Sequence, residues 1–187
     1  MSNKQVTSEA GNKVTSKKQR TRERIMDAAW QLFQEHGFAA TSTRDIAKHA
    51  QVANGTLFTH FENKDDLLRQ LMLMHIDKVI AEAKREDTFE QPKLKMRHYA
   101  LHLYRFYLAH TEFSKSLLQG LVWQGAFFSA QMEAFKKLLF DGTRQYDEVR
   151  AAAMMDCYFM TLIEGLNSEH PDVSNLVRRL SAKIALL

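Results

Sequence analysis

Residues 43–64, Thr-Arg-Asp-Ile-Ala-Lys-His-Ala-Gln-Val-Ala-Asn-Gly-Thr-Leu-Phe-Thr-His-Phe-Glu-Asn-Lys, constrain the fold of this chain more tightly than any other stretch. The pattern is that of two short helices joined by a tight turn. Ile46, Ala47 and Ala50 form a narrow apolar stripe on the first helix, and Val52 closes the turn. Leu57 and Phe61, four residues apart, anchor the second helix from one side. Asn54, Gly55, Thr56, Thr59 and His60 are then left on faces outside the core. Small hydrogen-bonding residues on a shallow helix surface allow close approach to base edges and phosphates, as a helix in a DNA major groove requires.

The preceding segment reads as one amphipathic helix. Ile25, Ala28, Ala29, Leu32 and Phe33 recur at helical spacing along an otherwise polar sequence. Gly37 stands where a left-handed residue would end that helix, and Phe38 follows to pack back on its end. Thr41, Ser42 or Thr43 can cap the next helix by accepting bonds from its free N–H groups.

Taken with residues 24–43 upstream and 65–68 downstream, the segment resembles the DNA-binding half of the tetracycline-repressor (TetR) type of bacterial regulators. The resemblance covers roughly residues 18–78, and its most specific part is the string Gly-Thr-Leu-Phe-Thr-His-Phe-Glu-Asn-Lys at 55–64. It implies that Thr43 touches a DNA phosphate through its hydroxyl and amide. It implies too that Lys64 opens a fourth helix, where its charge and the helix N-terminus both favour a phosphate. Arg44, Asn54, Thr56, Thr59 and His60 are expected to face base edges, with Gly55 allowing close approach. Two residues depart from the family pattern. Phe58 stands where Tyr is usual, keeping the ring and losing the phenol that bonds a phosphate. Gln51 stands in the turn where Gly is usual; a left-handed backbone there costs a non-glycine residue on the order of 1 kcal/mol.

Charge supports the same partner. The chain's formal excess is +4, yet residues 1–24 hold seven bases against two acids, so the remainder is slightly acidic. A basic, Ser/Thr/Asn/Gln-rich start with few apolar residues reads as a flexible arm over 1–17. Such an arm either solubilises the terminus or reaches phosphate or minor groove. For Lys17, Lys18, Arg20 and Arg22, beside the motif, DNA contact is the favoured expectation.

Two prolines, seven glycines, long 3.6-period stretches and no alternating runs predict an all-α protein. The predicted architecture is about nine helices: a DNA-binding domain over 18–78, then a helical dimerisation and effector domain over 79–187. No secretory signal is expected, and no stretch reaches the ~20 apolar residues of a membrane span. The single cysteine, Cys157, precludes an intrachain disulfide and fits a reducing cytoplasm.

After residue 64 the helices are expected at 64–84, 93–110 (started by Pro92), 111–118 (ended near Gly120), 127–140, 146–166 and 173–186. The last two are apolar over much of their circumference and need cover on several sides. A packed core would supply it. So would a dimer interface, and the resemblance implies a two-fold four-helix bundle, here expected to use Met155, Phe159, Leu162, Leu176, Leu180 and Ile184. A two-fold dimer sets its reading helices about one DNA turn apart, roughly 34–36 Å, and reads a near-palindrome.

Aromatic and methionine residues crowd the middle of the chain, suiting either a packed core or a pocket for a small hydrophobic or cationic molecule. Tyr99, Leu103, Phe106, Trp123 and Tyr158 are the candidate lining. His98 and His102 share a helix face at metal-ligand spacing but lack further ligands there, so neither metal nor cofactor is expected. Cys157 has no adjoining cation to lower its pKa. No nucleophile–base arrangement, Gly-rich phosphate loop or paired carboxylates suggest an enzyme. The expected protein is a homodimeric repressor that binds operator DNA and is released by an effector. Effector-free action, activation, and a helical domain with a decayed DNA motif remain alternatives; the intact Gly55, Thr56, His60 and Lys64 weigh against the last.

Overall fold

The structure, a computed structural model, describes residues 17–123 and 125–187, with the side chains of 120–127 outside the description. The basic arm expected over 1–17 therefore lies outside the described residues except for Lys17. Nine α-helices make up the described chain: α1 (Lys17–His36), α2 (Thr43–His49), α3 (Asn54–Phe58), α4 (Lys64–Glu86), α5 (Pro92–Ala109), α6 (Thr111–Trp123), α7 (Gly125–Leu139), α8 (Glu148–Leu166) and α9 (Val173–Ile184). The all-α class is as the sequence predicts. Two compact units divide the chain at residues 63 and 64, so α4 groups entirely with the second unit, and the domain limit expected at 78–79 falls inside one continuous helix.

In the first unit the stripe of α1 is buried as its spacing requires: Ile25, Ala28, Ala29, Leu32 and Phe33 are all in the core. Gly37 ends the helix at φ +84°, and Phe38 packs edge-on against Phe33 at 5.2 Å between ring centres. Thr41 is the residue that secures this end, not the next helix. Its buried hydroxyl sits 2.8 Å from the Gly37 carbonyl and 3.2 Å from that of Leu32. The cap of α2 is Ser42. Its hydroxyl accepts the Asp45 N–H at 3.2 Å while the Asp45 carboxylate accepts the Ser42 N–H at 3.3 Å, a reciprocal capping box. The Ser42 hydroxyl also donates to the Asp45 carboxylate at 2.5 Å, and that bond first, then the Ser42 N–H, holds the Asp45 carboxyl below its ordinary pKa.

In the second unit α5 is the central helix, packed against α4, α8 and α9. Pro92 opens it at the first turn, where a missing N–H costs nothing. Tyr104 is fully buried, donates its hydroxyl to the Tyr158 carbonyl at 2.8 Å and stacks on the Tyr158 ring at 5.1 Å. Between α8 and α9, Gly165 lets Leu176 approach so closely that an added Cβ would meet Leu176 Cδ1. α6 does not stop near Gly120 as expected but continues to Trp123. One glycine in a helix interior costs about 1 kcal/mol, which does not end a helix that neighbouring elements hold in place.

A buried polar cluster ties the α4–α5 connection to α5. Lys95, 7% exposed, lies 3.6 Å from the Asp87 carboxylate and donates to the Asp141 carbonyl at 3.0 Å. Asp87 also accepts the Tyr99 hydroxyl and the Phe89 N–H, each at 3.0 Å. These bonds and the Lys95 charge outweigh burial and hold the Asp87 carboxyl below the usual carboxylate range.

Candidate nucleic-acid interface and apolar cavity

α2 and α3 present their surface because their apolar sides are consumed. Ile46, Ala47, Leu57 and Phe61 are buried, leaving Arg44, Asn54, Gly55, Phe58 and Thr59 exposed and Thr43, Thr56 and His60 half-buried. The turn between the helices depends on Gln51, which adopts φ +54°, the one non-glycine positive φ among the described residues. Its N–H bonds the Lys48 carbonyl at 3.1 Å and the Val52 N–H bonds that of Ala47 at 2.9 Å. The left-handed turn that glycine would suit is therefore present with glutamine in place. A side-chain bond from His49 Nε2 to Gln31 Oε1, 3.1 Å, links α2 to α1.

Each predicted contact residue has a specific setting. Gly55 has no atom within 4 Å of where a Cβ would stand, so nothing within the chain requires a glycine there. Thr59 caps the end of α3 and donates its hydroxyl to the Thr56 carbonyl at 2.7 Å, so toward DNA that hydroxyl is an acceptor. Phe58 is 47% exposed, a large apolar ring turned outward with no polar atom of its own.

Lys17, Lys18, Arg20 and Arg22 are helical residues, the first two turns of α1. The Arg22 guanidinium lies over the Phe61 ring at 4.7 Å, fixing it by cation–π attraction. Lys18 and Arg22 also act on His60: burial first, then their positive charges, lower its imidazole pKa below the ordinary 6.5. His60 is thus neutral near pH 7 and offers a single ring N–H. Lys64 is the first residue of α4, followed by Asp65 and Asp66 in the first turn.

The second unit forms a partly open apolar cavity of about 190 Å³ between α4, α5, α6, α7 and α8. Of the residues expected to line a pocket, Leu103 and Tyr158 do. Tyr99 instead bonds Asp87, and Phe106 stacks on His75 at 6.2 Å. Trp123 ends α6, and its side chain lies outside the described residues. The sequence missed the aliphatic walls, Ile76 and Ile80 of α4 and Leu117 of α6, because nothing distinguishes a pocket leucine from a core leucine. One signal was readable: Gln131 stands polar within the α7 stripe of Phe128, Met132 and Phe135, and its Oε1 is buried without a hydrogen bond.

Within the single chain, the residues expected at a dimer interface have these settings. Leu162, Leu176, Leu180 and Ile184 are buried in the chain's own core, and Met155 and Phe159 line the cavity. The apolar residues that α8 exposes are Val149 (81%), Met160 (55%) and Ile163 (36%). His98 is occupied at the Ala83 carbonyl, 2.7 Å away, and His102 faces the Glu86 carboxylate at 3.7 Å. No group of three or more metal-ligating side chains gathers among the described residues. No described helix is long and apolar enough to cross a membrane.

Known proteins share this arrangement. The sequence model of bacterial regulatory proteins, tetR family, matches residues 25–71, which span the three helices of the first unit and the start of α4. The HTH-type transcriptional regulator YvkB of Bacillus subtilis is 28% identical over 159 residues, covering 82% of this chain and 76% of that protein. The HTH-type transcriptional regulator AcrR of Shigella flexneri is 39% identical over 59 residues, 32% of this chain and 27% of its own. A TetR transcriptional regulator from Rhodococcus sp. RHA1 superposes with a TM-score of 0.66 at 23% identity, covering 91% of this chain and 98% of that one. Thermus thermophilus FadR, a TetR-family repressor solved with lauroyl-CoA, gives 0.63 at 24% identity over 88% and 92% of the two chains. Residues 25–71 thus carry the DNA-binding domain of the bacterial tetR regulatory proteins, and the chain shares its helical fold along most of its length with TetR transcriptional regulators.

Proposed function

We propose that the protein is a homodimeric repressor that binds a near-palindromic operator through α2 and α3 and leaves it when a small apolar molecule occupies the second unit. The observation that carries this reading is the cavity. A well-packed core leaves few voids larger than a water molecule, yet this one is about 190 Å³ and includes a buried polar atom without a partner. The Thermus neighbour is itself a repressor solved with a ligand, which supports the same logic here.

On this reading Lys17, Lys18, Arg20, Arg22, Thr43 and Lys64 meet phosphates, and Arg44, Asn54, Thr56, Thr59 and His60 meet base edges. Gly55 admits the DNA closely, and Phe58 packs on sugar or a thymine methyl. The dimer forms through the outward side of α8, where Val149, Met160 and Ile163 are exposed. α4 begins at the residue after the first unit and contributes Leu73, Ile76 and Ile80 to the cavity wall, so a ligand there bears on the helix that continues from the DNA-reading unit. Release can be no stronger than the ligand's preference for the DNA-free state; a tenfold preference is about 1.4 kcal/mol.

Footprinting on the DNA upstream of its own gene tests the reading. Two protected half-sites about one turn apart are expected, roughly 34–36 Å. The Ile163→Asp variant, monomeric by sedimentation, loses simultaneous protection of both. Unpatterned protection, or a wild-type chain that sediments as a monomer on and off DNA, refutes it.

A further inference from the structure

The geometry points to a lipophilic ammonium compound as the ligand class of the second-unit cavity, with its apolar body inside and its charged nitrogen beside Asp77. The inference rests on the proposal that this cavity binds an effector, and it adds the chemistry of that effector.

The cavity wall is almost wholly apolar, with Phe128, Phe135, Phe159, Met132 and Met155 among its residues. Its polar atoms are few. Gln131 Oε1 is a buried acceptor with no hydrogen bond. The Tyr158 hydroxyl belongs to a residue 2% exposed and is influenced by the Tyr107 phenol; burial first, then that neighbour, raises its pKa. A buried acceptor left unmade costs free energy that a ligand N–H recovers.

Asp77 supplies the charge. It follows Ile76 on the α4 face that also carries Leu73 and Ile80, so a carboxylate interrupts an otherwise apolar stripe at the cavity wall. Asp77 is an exposed residue, which puts it where the cavity meets solvent, and it makes no ion pair among the described residues. The surrounding apolar groups raise its pKa above the ordinary carboxylate value, the behaviour of an uncompensated carboxylate. No lysine, arginine or histidine lines the cavity, and residues 120–127 of α6 and α7 contain none either. An anionic ligand therefore finds no counter-charge here, whereas an ammonium finds a carboxylate, an amide oxygen and aromatic faces that attract cations.

Size sets the probes. About 190 Å³ is somewhat more than the ~150 Å³ engineered cavity that holds benzene, so an eight-carbon chain or one substituted ring is suitable. Calorimetric titration of the full chain with n-octylamine, n-octanol and octanoate compares one body with three head groups. The expected order is amine, then alcohol, then carboxylate. Asp77→Asn should weaken n-octylamine roughly fivefold, as for an ion pair partly open to water, and leave n-octanol unchanged. Ala134→Phe, which adds a ring at an exposed residue of the cavity wall, should weaken all binding and so localise it. Equal binding of the three head groups, tighter octanoate, or an Asp77→Asn variant with unaltered amine affinity overturns the ammonium assignment while leaving an effector cavity standing. Binding of none of the three, or binding insensitive to Ala134→Phe, overturns the assignment together with the cavity's role as an effector site.

Discussion

Gly55→Ala separates folding from function by moving them in opposite directions. The residue lies in α3 with no positive φ, and a Cβ built on it meets no atom within 4 Å. The chain's own packing therefore gains nothing from a glycine at this position. In a helix alanine is favoured over glycine by roughly 0.5–1 kcal/mol, so the variant should be more stable by about that amount. For a chain of 187 residues this raises the melting temperature by roughly 1–4 °C. The same methyl group points into the space that α3 keeps open beside Asn54 and Thr59, where DNA would lie. Forcing a methyl into a close-packed contact costs about 1–3 kcal/mol, which is roughly a 5- to 150-fold loss of operator affinity. Circular dichroism in urea gives the first quantity and fluorescence anisotropy on operator DNA at fixed salt gives the second. A variant that is more stable and binds as tightly as wild type would refute the placement of Gly55 at the groove; a less stable variant would refute the open space around it.

Gln51→Gly should stabilise the chain by about 0.5–1 kcal/mol in urea, because relief of the left-handed φ of +54° exceeds glycine's larger entropy loss; no gain would mean that the turn is unstrained. His60 is held neutral in the free protein, so this group's contribution to stability is present above pH about 6.5 and fades as pH falls. The negative potential of the DNA groove favours the imidazolium, so binding takes up a proton and affinity should rise on lowering pH through about 6.5; the His60→Gln variant should lose that slope, and its retention in the variant would place His60 away from the DNA. Asp87→Ala strands the Lys95 ammonium, 7% exposed, and frees the Tyr99 hydroxyl, for a loss of roughly 3–5 kcal/mol at neutral pH. Since the Asp87 pKa is lowered in the folded chain, that contribution holds above about pH 4 and disappears below it, so wild type and variant should converge in acid; a constant gap would refute the ionic origin.

What the sequence disclosed and what it hid divide along a physical line. Helical spacing states which residues share a stripe, and the stripes of α1 and α3 are buried as their spacing requires. Residues with a single strong local preference were equally legible, Gly37 at its left-handed end and Pro92 at the first turn of α5, whereas the left-handed turn at Gln51 was expected only from the family pattern. Spacing does not state what covers a stripe. α8 is apolar on most sides, and its residues separate only in three dimensions. Leu162 faces the chain's own core, Met155 the cavity, and Met160 the exterior. The same ambiguity sends Tyr99 to a carboxylate rather than to the cavity. Thr59 belongs with these cases. A threonine on a reading helix suggests a donor to bases, yet its proton is already committed to the Thr56 carbonyl. Gln131 and Asp77 were visible as polar interruptions of apolar stripes, and only the cavity gives those interruptions a chemical meaning.

The most direct test of the central claim is the affinity of the purified chain for the DNA upstream of its own gene against random DNA of equal length, across a salt series. The account predicts binding to the upstream DNA at least roughly a thousandfold tighter at physiological salt, with a log–log salt slope set by the phosphates that the basic residues neutralise. Equal, steeply salt-dependent affinity for both DNAs would contradict recognition of an operator there and reduce the first unit to a basic surface.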